Sequence, residues 1–221
     1  MNKFKKGEKM KFLKVGIIGV LLCLSNAYAD KSGFFIGVDV GVLANSAKIK
    51  DANGVEKHSA MDSTIGFKVG YNAYFNATQG IRITAFYRNE WFDPFHKNIV
   101  FYDLEDEDQK GSFLFGGIVD YLVNFTPGPS PFGLFFGVGY QTFVGKFKTN
   151  LQNYQAQGYD IATSGIFVNA GLSKIFNESH RIDLTVKVPI SGNRYLSGTA
   201  NQTDRLYQTL GSLTLGYAYT F

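Results

Sequence analysis

Cysteine is almost absent from this chain of 221 residues: the single one, Cys23, lies in the apolar stretch near its start. The remainder has no disulfide framework, no thiol chemistry and no cysteine metal site. Long apolar runs are missing too. Val15 to Leu24 spans about ten residues, half of the roughly twenty that a membrane-spanning helix needs, and nothing after Leu24 comes near that length. This excludes an ordinary helical membrane protein. Histidine occurs only at His58, His96 and His180, which leaves little material for acid–base or nucleophilic catalysis.

The basic balance is confined to the start of the chain. Lys3, Lys5, Lys6, Lys9, Lys11 and Lys14 stand against Glu8, an apolar run follows, and Ala27-Tyr28-Ala29 precedes Asp30. This pattern predicts a secretory signal peptide over residues 1–29, cleaved after Ala29, and an exported domain over 30–221. Cys23 follows Leu22, where a lipoprotein processing site has a small residue, so lipid modification is not expected. Of 22 basic and 18 acidic residues the signal holds six and one, leaving 16 against 17 in about 192 residues. No nucleic-acid partner is implied.

What is abundant is glycine, phenylalanine and tyrosine, at 25, 21 and 13 residues, a composition that favours strands. The last ten residues alternate strictly. Leu213, Leu215, Tyr217, Tyr219 and Phe221 fall on one face, Ser212, Thr214, Gly216, Ala218 and Thr220 on the other. Large apolar residues outside and small or polar ones inside suit a barrel strand between lipid and a narrow lumen. The aromatic ending made by Tyr217, Tyr219 and Phe221 looks like the C-terminal assembly signal of bacterial outer-membrane barrels.

The same alternation recurs in seven further segments: Gly33 to Leu43, Ser63 to Tyr74, Gly80 to Trp91, Ser112 to Phe125, Phe132 to Phe147, Gly165 to Phe176 and Arg181 to Ile190. Three connections are short, Phe75 to Gln79, Thr126 to Pro131 and Asn177 to His180. Four are long, Ala44 to Asp62, Phe92 to Gly111, Lys148 to Ser164 and Ser191 to Tyr207. Short and long alternate, so each kind collects at one end. The expected fold is all-β: an eight-stranded antiparallel transmembrane β-barrel, an up-and-down meander, with short periplasmic turns and long outer loops.

Charge placement orients the faces. Asp39, Lys68, Arg82, Arg88, Glu90, Asp120, Asp183 and Lys187 fall on the small-residue face. A charge facing hydrocarbon at midplane costs about 2 to 4 kcal/mol, so this face points inward. Both signs appear in near balance. An eight-stranded interior is just wide enough for side chains to fill, which predicts a paired lumen network with glycines between the long side chains. Tyr71, Phe75, Tyr121, Phe125, Phe132, Tyr217, Tyr219 and Phe221 are expected to form a periplasmic aromatic girdle, and Tyr87, Trp91, Phe113 and Tyr140 an outer one.

Gly165-Ile-Phe-Val-Asn-Ala-Gly-Leu172, His180-Arg-Ile-Asp-Leu-Thr-Val-Lys-Val-Pro-Ile190 and Tyr217-Ala-Tyr-Thr-Phe221 resemble the C-terminal barrel of the Helicobacter outer-membrane protein family. Gly80-Ile-Arg-Ile-Thr-Ala-Phe86 and Gly116-Gly-Ile-Val-Asp-Tyr-Leu-Val-Asn124 resemble its middle strands. The resemblance implies a small barrel in the cell outer membrane, in a family that includes adhesins and pore-formers. The large N-terminal extracellular domain of the adhesin members is not matched.

The expected function is a structural or surface-interaction role, with a narrow porin for ions or small solutes as the alternative. An enzyme is not expected. His58 and His96 fall in separate outer loops and His180 in a periplasmic turn, while His58 and Ser59 are chain neighbours that point apart. The acidic run Asp103, Glu105, Asp106, Glu107 and Asp108 lacks calcium-loop spacing and reads as a solvated loop tip. No cofactor and no metal are expected. The expected partners are outer-membrane lipids and lipopolysaccharide, the barrel-assembly machinery through the C-terminal strand, and an unidentified surface ligand; the protein is expected to be a monomer. Asn53-Gly54 marks a turn within the first long loop.

Overall fold

Each alternating segment forms a strand, because residues with one face in lipid and the other in a packed interior meet both demands only at a period of two. The computed structural model describes residues 32–51, 54–91, 112–156, 162–192, 194–197 and 204–221. In chain order the elements are β1 (Gly33–Asp51), β2 (Gly54–Tyr74), β3 (Gln79–Trp91), β4 (Ser112–Asn124), β5 (Phe132–Val144), α1 (Lys146–Ala156), β6 (Ser164–Phe176), β7 (His180–Pro189), β8 (Arg194–Ser197) and β9 (Asp204–Thr220). Strands β1 to β7 pair with their chain neighbours, β7 pairs with β9, and β9 pairs with β1, all antiparallel. The result is a closed eight-stranded barrel, with β8 paired to the start of β9 on the side that β7 takes further along.

The register fixes its dimensions. Following paired residues from Gly33 through Asn72, Arg82, Asp120, Gly137, Asn169, Lys187 and Ser212 returns to β1 at Leu43, ten residues further along. With strands about 4.8 Å apart rising about 3.3 Å per residue, this stagger gives a tilt of roughly 40° and a backbone radius of about 8 Å.

Three of the four long connections contain structure that alternation did not reveal. The segment Ala44 to Asp62, expected as a loop, continues β1 and β2 as a hairpin whose last pair is Asp51 with Gly54. In the sequence Ser46, Lys48 and Lys50 continue the alternate positions of Val38, Val40 and Val42, so the apolar signal stops although the ladder continues. Segment 191–207 holds β8 and the first residues of β9, which begins at Asp204 rather than Ser212. After β5 the chain turns at Gly145, with φ +76°, into α1, where a loop was expected; Leu151 of this helix is 2% exposed and anchors it.

The short turns have local causes. Asn76 Oδ1 accepts hydrogen bonds from the Thr78 and Gln79 amides at 2.9 and 2.8 Å. This closes the β2–β3 turn as an Asx turn. Asn177 and Glu178 take φ of 47° and 64°, the left-handed conformation that matches hairpin twist.

The outer surface is a belt of exposed apolar side chains to which every barrel strand contributes: Val38, Val69, Ile83, Val119, Phe136, Val168, Leu184 and Leu215 are each at least 41% exposed. A continuous apolar band of this extent requires lipid around it. At one rim Phe34 packs edge-on to Tyr71, Phe125 tilts against Phe132, and Tyr219 packs edge-on to Phe221. Toward the other rim Tyr87 stacks on Phe113 at 5.4 Å. The side chain of Trp91 lies outside the described residues.

Candidate functional site: the barrel interior

The inward face is built in layers along the barrel axis. Nearest the short turns Tyr74, Leu122 and Phe135 form an apolar plug. Beside it Arg181 Nη1 donates to Asn72 Oδ1 at 2.8 Å, and Asn72 Nδ2 donates to Thr220 Oγ1 at 3.3 Å. The Arg181 guanidinium lies 4.7 Å from the centre of the Phe35 ring.

The central layer is ionic. Arg82 Nε donates to Asp120 Oδ2 at 2.7 Å and Arg82 Nη1 to Asp183 Oδ2 at 3.0 Å, bridging β4 and β7 from β3. Asp183 Oδ2 also lies 3.3 Å from Arg181 Nε and 3.6 Å from Lys68 Nζ. Asn169 Nδ2 donates to Asp120 Oδ1 at 2.7 Å. The Arg82 guanidinium rests 4.2 Å above the Phe135 ring, which joins this layer to the plug.

Above it Phe86, Ile118 and Phe167 form a second apolar cluster, Phe86 and Phe167 meeting edge to face. Arg88 Nη2 is 3.5 Å from Asp39 Oδ1. Lys187 Nζ sits 4.6 Å from the Phe86 ring centre and 5.6 Å from that of Phe167. Toward the long connections Leu43, Leu114 and Phe143 are buried, and Asn45 Nδ2 donates to Asp62 Oδ2 at 2.5 Å.

Two glycines show why the long side chains fit. A β-carbon at Gly216 would collide with Lys68 Nζ, and one at Gly137 with Asp120 Oδ1. Between the layers an internal cavity of about 30 Å³ remains, lined among others by Lys68, Arg82, Asp183 and Lys187. That is space for a water or two.

Of the residues expected to line the lumen, Asp39, Lys68, Arg82, Arg88, Asp120, Asp183 and Lys187 all project inward and share this core. Glu90 stands opposite Thr64 and Ser112 on the same face of β3, and its side chain lies outside the described residues. The expected set leaves out Arg181, 3% exposed, which belongs to the network, and Asp62, 6% exposed, on the inward face of β2. Strict parity with Asp183 and Lys187 on β7 was the signal that places Arg181. The buried aromatics Phe35, Phe86, Phe135 and Phe167 share the polar face by the same parity. Their hydrophobicity obscured it.

Tyr217 and Tyr219 point outward, and the Phe221 amide donates to Phe34 O at 2.9 Å. His180, expected in a turn, is the first residue of β7; its Nδ1 shares a hydrogen bond of 2.7 Å with the Tyr217 hydroxyl on the outer surface. His58 lies on β2 opposite Ala47. His96 and the acidic run from Asp103 to Asp108 lie outside the described residues, among which no group of three or more His, Cys, Asp or Glu is placed to hold a metal ion.

A closed meander with an apolar belt, aromatic rims and a polar packed interior defines an integral membrane β-barrel. Residues 66–221 match the family described as Helicobacter outer membrane protein, and the chain belongs to that family. It is therefore a protein of the outer membrane. Among solved structures it is similar to the outer membrane protein OprG from Pseudomonas aeruginosa, with 16% identity, 86% of this chain and 97% of that one covered, and a TM-score of 0.40. It is similar to Ail, the attachment invasion locus protein of Yersinia pestis, with 13% identity, 84% and 98% coverage, and a TM-score of 0.35. The outer membrane enzyme PagL is similar at 12% identity, 83% and 99% coverage, and a TM-score of 0.43. No curated protein matches the chain.

Orientation follows from connection length, short turns facing the periplasm. On intact cells a membrane-impermeant thiol reagent is expected to label Ser59→Cys, on the long β1–β2 hairpin, and to leave Thr126→Cys, in the β4–β5 turn, unlabelled. Both positions are exposed, so access alone decides the result. The reverse pattern would invert the topology.

Proposed function

We propose that this protein is a closed barrel with a structural or surface-interaction role, carried by its outer face and its long connections rather than by transport through its lumen. The observation that carries this reading is the filled interior. Two apolar clusters flank an ionic layer in which Arg82, buried, joins carboxylates from two other strands, and the cavity that these described residues leave at that level is about 30 Å³. An ion crossing it would have to part the Arg82–Asp183 pair. Opening such a pair leaves uncompensated buried charge, which costs about 3 to 5 kcal/mol.

The supporting chemistry for catalysis is thin: His180, the histidine whose surroundings are described, faces a tyrosine on the outer wall. The reading therefore assigns the protein no enzymatic role. Planar-bilayer recordings of the refolded wild type are expected to show no reproducible channels. Steps of constant conductance that scale with protein amount would favour the narrow pore instead.

A further inference from the structure

The outward face of the barrel wall is apolar and aromatic. Among its described residues, apart from the outer extensions of β1, β2 and β9, only Lys174 on β6 and His180 on β7 bring an ionisable group other than tyrosine to that face. Both lie at the rim of the short turns. Lys174 pairs with Ile182 and Phe176 with His180, so Lys174 and His180 are diagonal neighbours on one face, roughly 7 Å apart. Lys174 Nζ donates to Ser130 O at 2.5 Å and lies 5.7 Å from the Phe176 ring centre. Its ammonium keeps further protons to donate. His180 packs edge-on to Tyr219 at 5.2 Å, and its Nδ1 shares a 2.7 Å hydrogen bond with the Tyr217 hydroxyl. With that hydroxyl donating, Nε2 carries the ring proton and is the donor left over. Two carboxylates stand at this rim among the described residues, Glu178 in the β6–β7 turn and the chain end at Phe221. Neither forms an ion pair with Lys174 or His180.

We propose that Lys174 and His180 bind the phosphate of an anionic phospholipid in the periplasmic leaflet, the leaflet that the orientation argued above gives to this rim. The ammonium and the imidazole N–H are donors at headgroup depth, and an ammonium without a carboxylate partner is matched by an anion that brings no cation of its own. The wall beneath continues the fit. Leu172 and Ala170 follow Lys174 along β6 toward midplane, both exposed, and the small Ala170 between Phe136 and Val186 leaves a shallow dent along which an acyl chain can lie. A lysine that only escapes hydrocarbon extends its ammonium into water. Lys174 is instead fixed to Ser130 O, and the histidine beside it is held by two tyrosines. The site uses the outer wall and does not depend on whether the lumen conducts.

The test is native mass spectrometry of the refolded barrel in detergent, titrated with phosphatidylglycerol and separately with phosphatidylethanolamine. Wild type is expected to retain phosphatidylglycerol more tightly than phosphatidylethanolamine. Lys174→Gln is expected to weaken phosphatidylglycerol binding about fivefold, the effect of losing one lysine beside an anionic headgroup, and Lys174→Arg to keep it. His180→Phe, which keeps a ring on Tyr219 and removes the donor, is expected to weaken it too. Lys57→Gln, the same loss of charge on the exposed β1–β2 hairpin, is expected to leave it unchanged. An equal drop in Lys57→Gln would make the effect one of net charge and overturn the site. Unchanged binding in Lys174→Gln, or equal retention of the two lipids by wild type, would also overturn it. Should Lys174→Gln not refold, a photoactivatable phosphatidylglycerol reacted with wild type decides: crosslinks confined to the rim of β6 and β7 support the site, and crosslinks spread around the barrel overturn it. Channel recordings are independent of these outcomes, so a failure here leaves the closed-lumen reading standing.

Discussion

Arg82→Ala is expected to lower the unfolding free energy of the refolded barrel by about 3 to 5 kcal/mol, the cost of removing one member of a buried ionic cluster. Arg82 makes the two shortest charge contacts described in the lumen, 2.7 Å to Asp120 and 3.0 Å to Asp183, and its guanidinium also covers the Phe135 ring. After truncation Asp183 keeps Arg181 and Lys68, but Asp120 keeps only the neutral Asn169 amide among its described partners. The loss should therefore be felt mainly at Asp120. A double-mutant cycle between Arg82→Ala and Asp120→Ala is expected to give a coupling of about 1 to 3 kcal/mol. Lys68→Ala, removing a contact of 3.6 Å, should cost less. A urea midpoint unchanged in Arg82→Ala would mean that water already solvates these carboxylates, and the lumen would then be an aqueous path.

Val119→Arg is expected to destabilise the barrel by about 2 to 4 kcal/mol, the penalty for a cation at the lipid midplane. Val119 lies on β4, midway between Phe113 toward one rim and Phe125 at the other, and is 50% exposed on the belt. The same change at Phe125, beside the periplasmic turn, should cost only about 0 to 1 kcal/mol, because the long side chain reaches water there. The contrast between the two positions is the measurement, made by urea titration in vesicles. Equal effects at Val119 and Phe125 would remove the assignment of this face to lipid. Should Val119→Arg fail to insert, Val119→Asn provides a milder version of the same comparison.

Several features were legible from the residues alone, and for one reason: in a strand, the face on which a side chain falls is fixed by counting in twos. That local rule placed Val38, Ile83, Val168 and Leu215 outside and Asp39, Arg82 and Asp183 inside, and the alternation of short and long connections sorted the two ends. It lapsed where the bilayer no longer imposes two different faces, which is why the extensions of β1, β2 and β9 and the helix α1 read as loops. Counting in twos also cannot say which inward residues meet. Arg82 and Asp183 are 101 positions apart and come within 3.0 Å only because closure with a stagger of ten brings β3 and β7 across the lumen at that height. Register and closure likewise decided that Arg181 joins the cluster and that Lys187 rests on phenylalanine instead of a carboxylate. Alternation is a property of each strand by itself, whereas charge pairing depends on the distance across a closed barrel, and only the assembled sheet determines that distance.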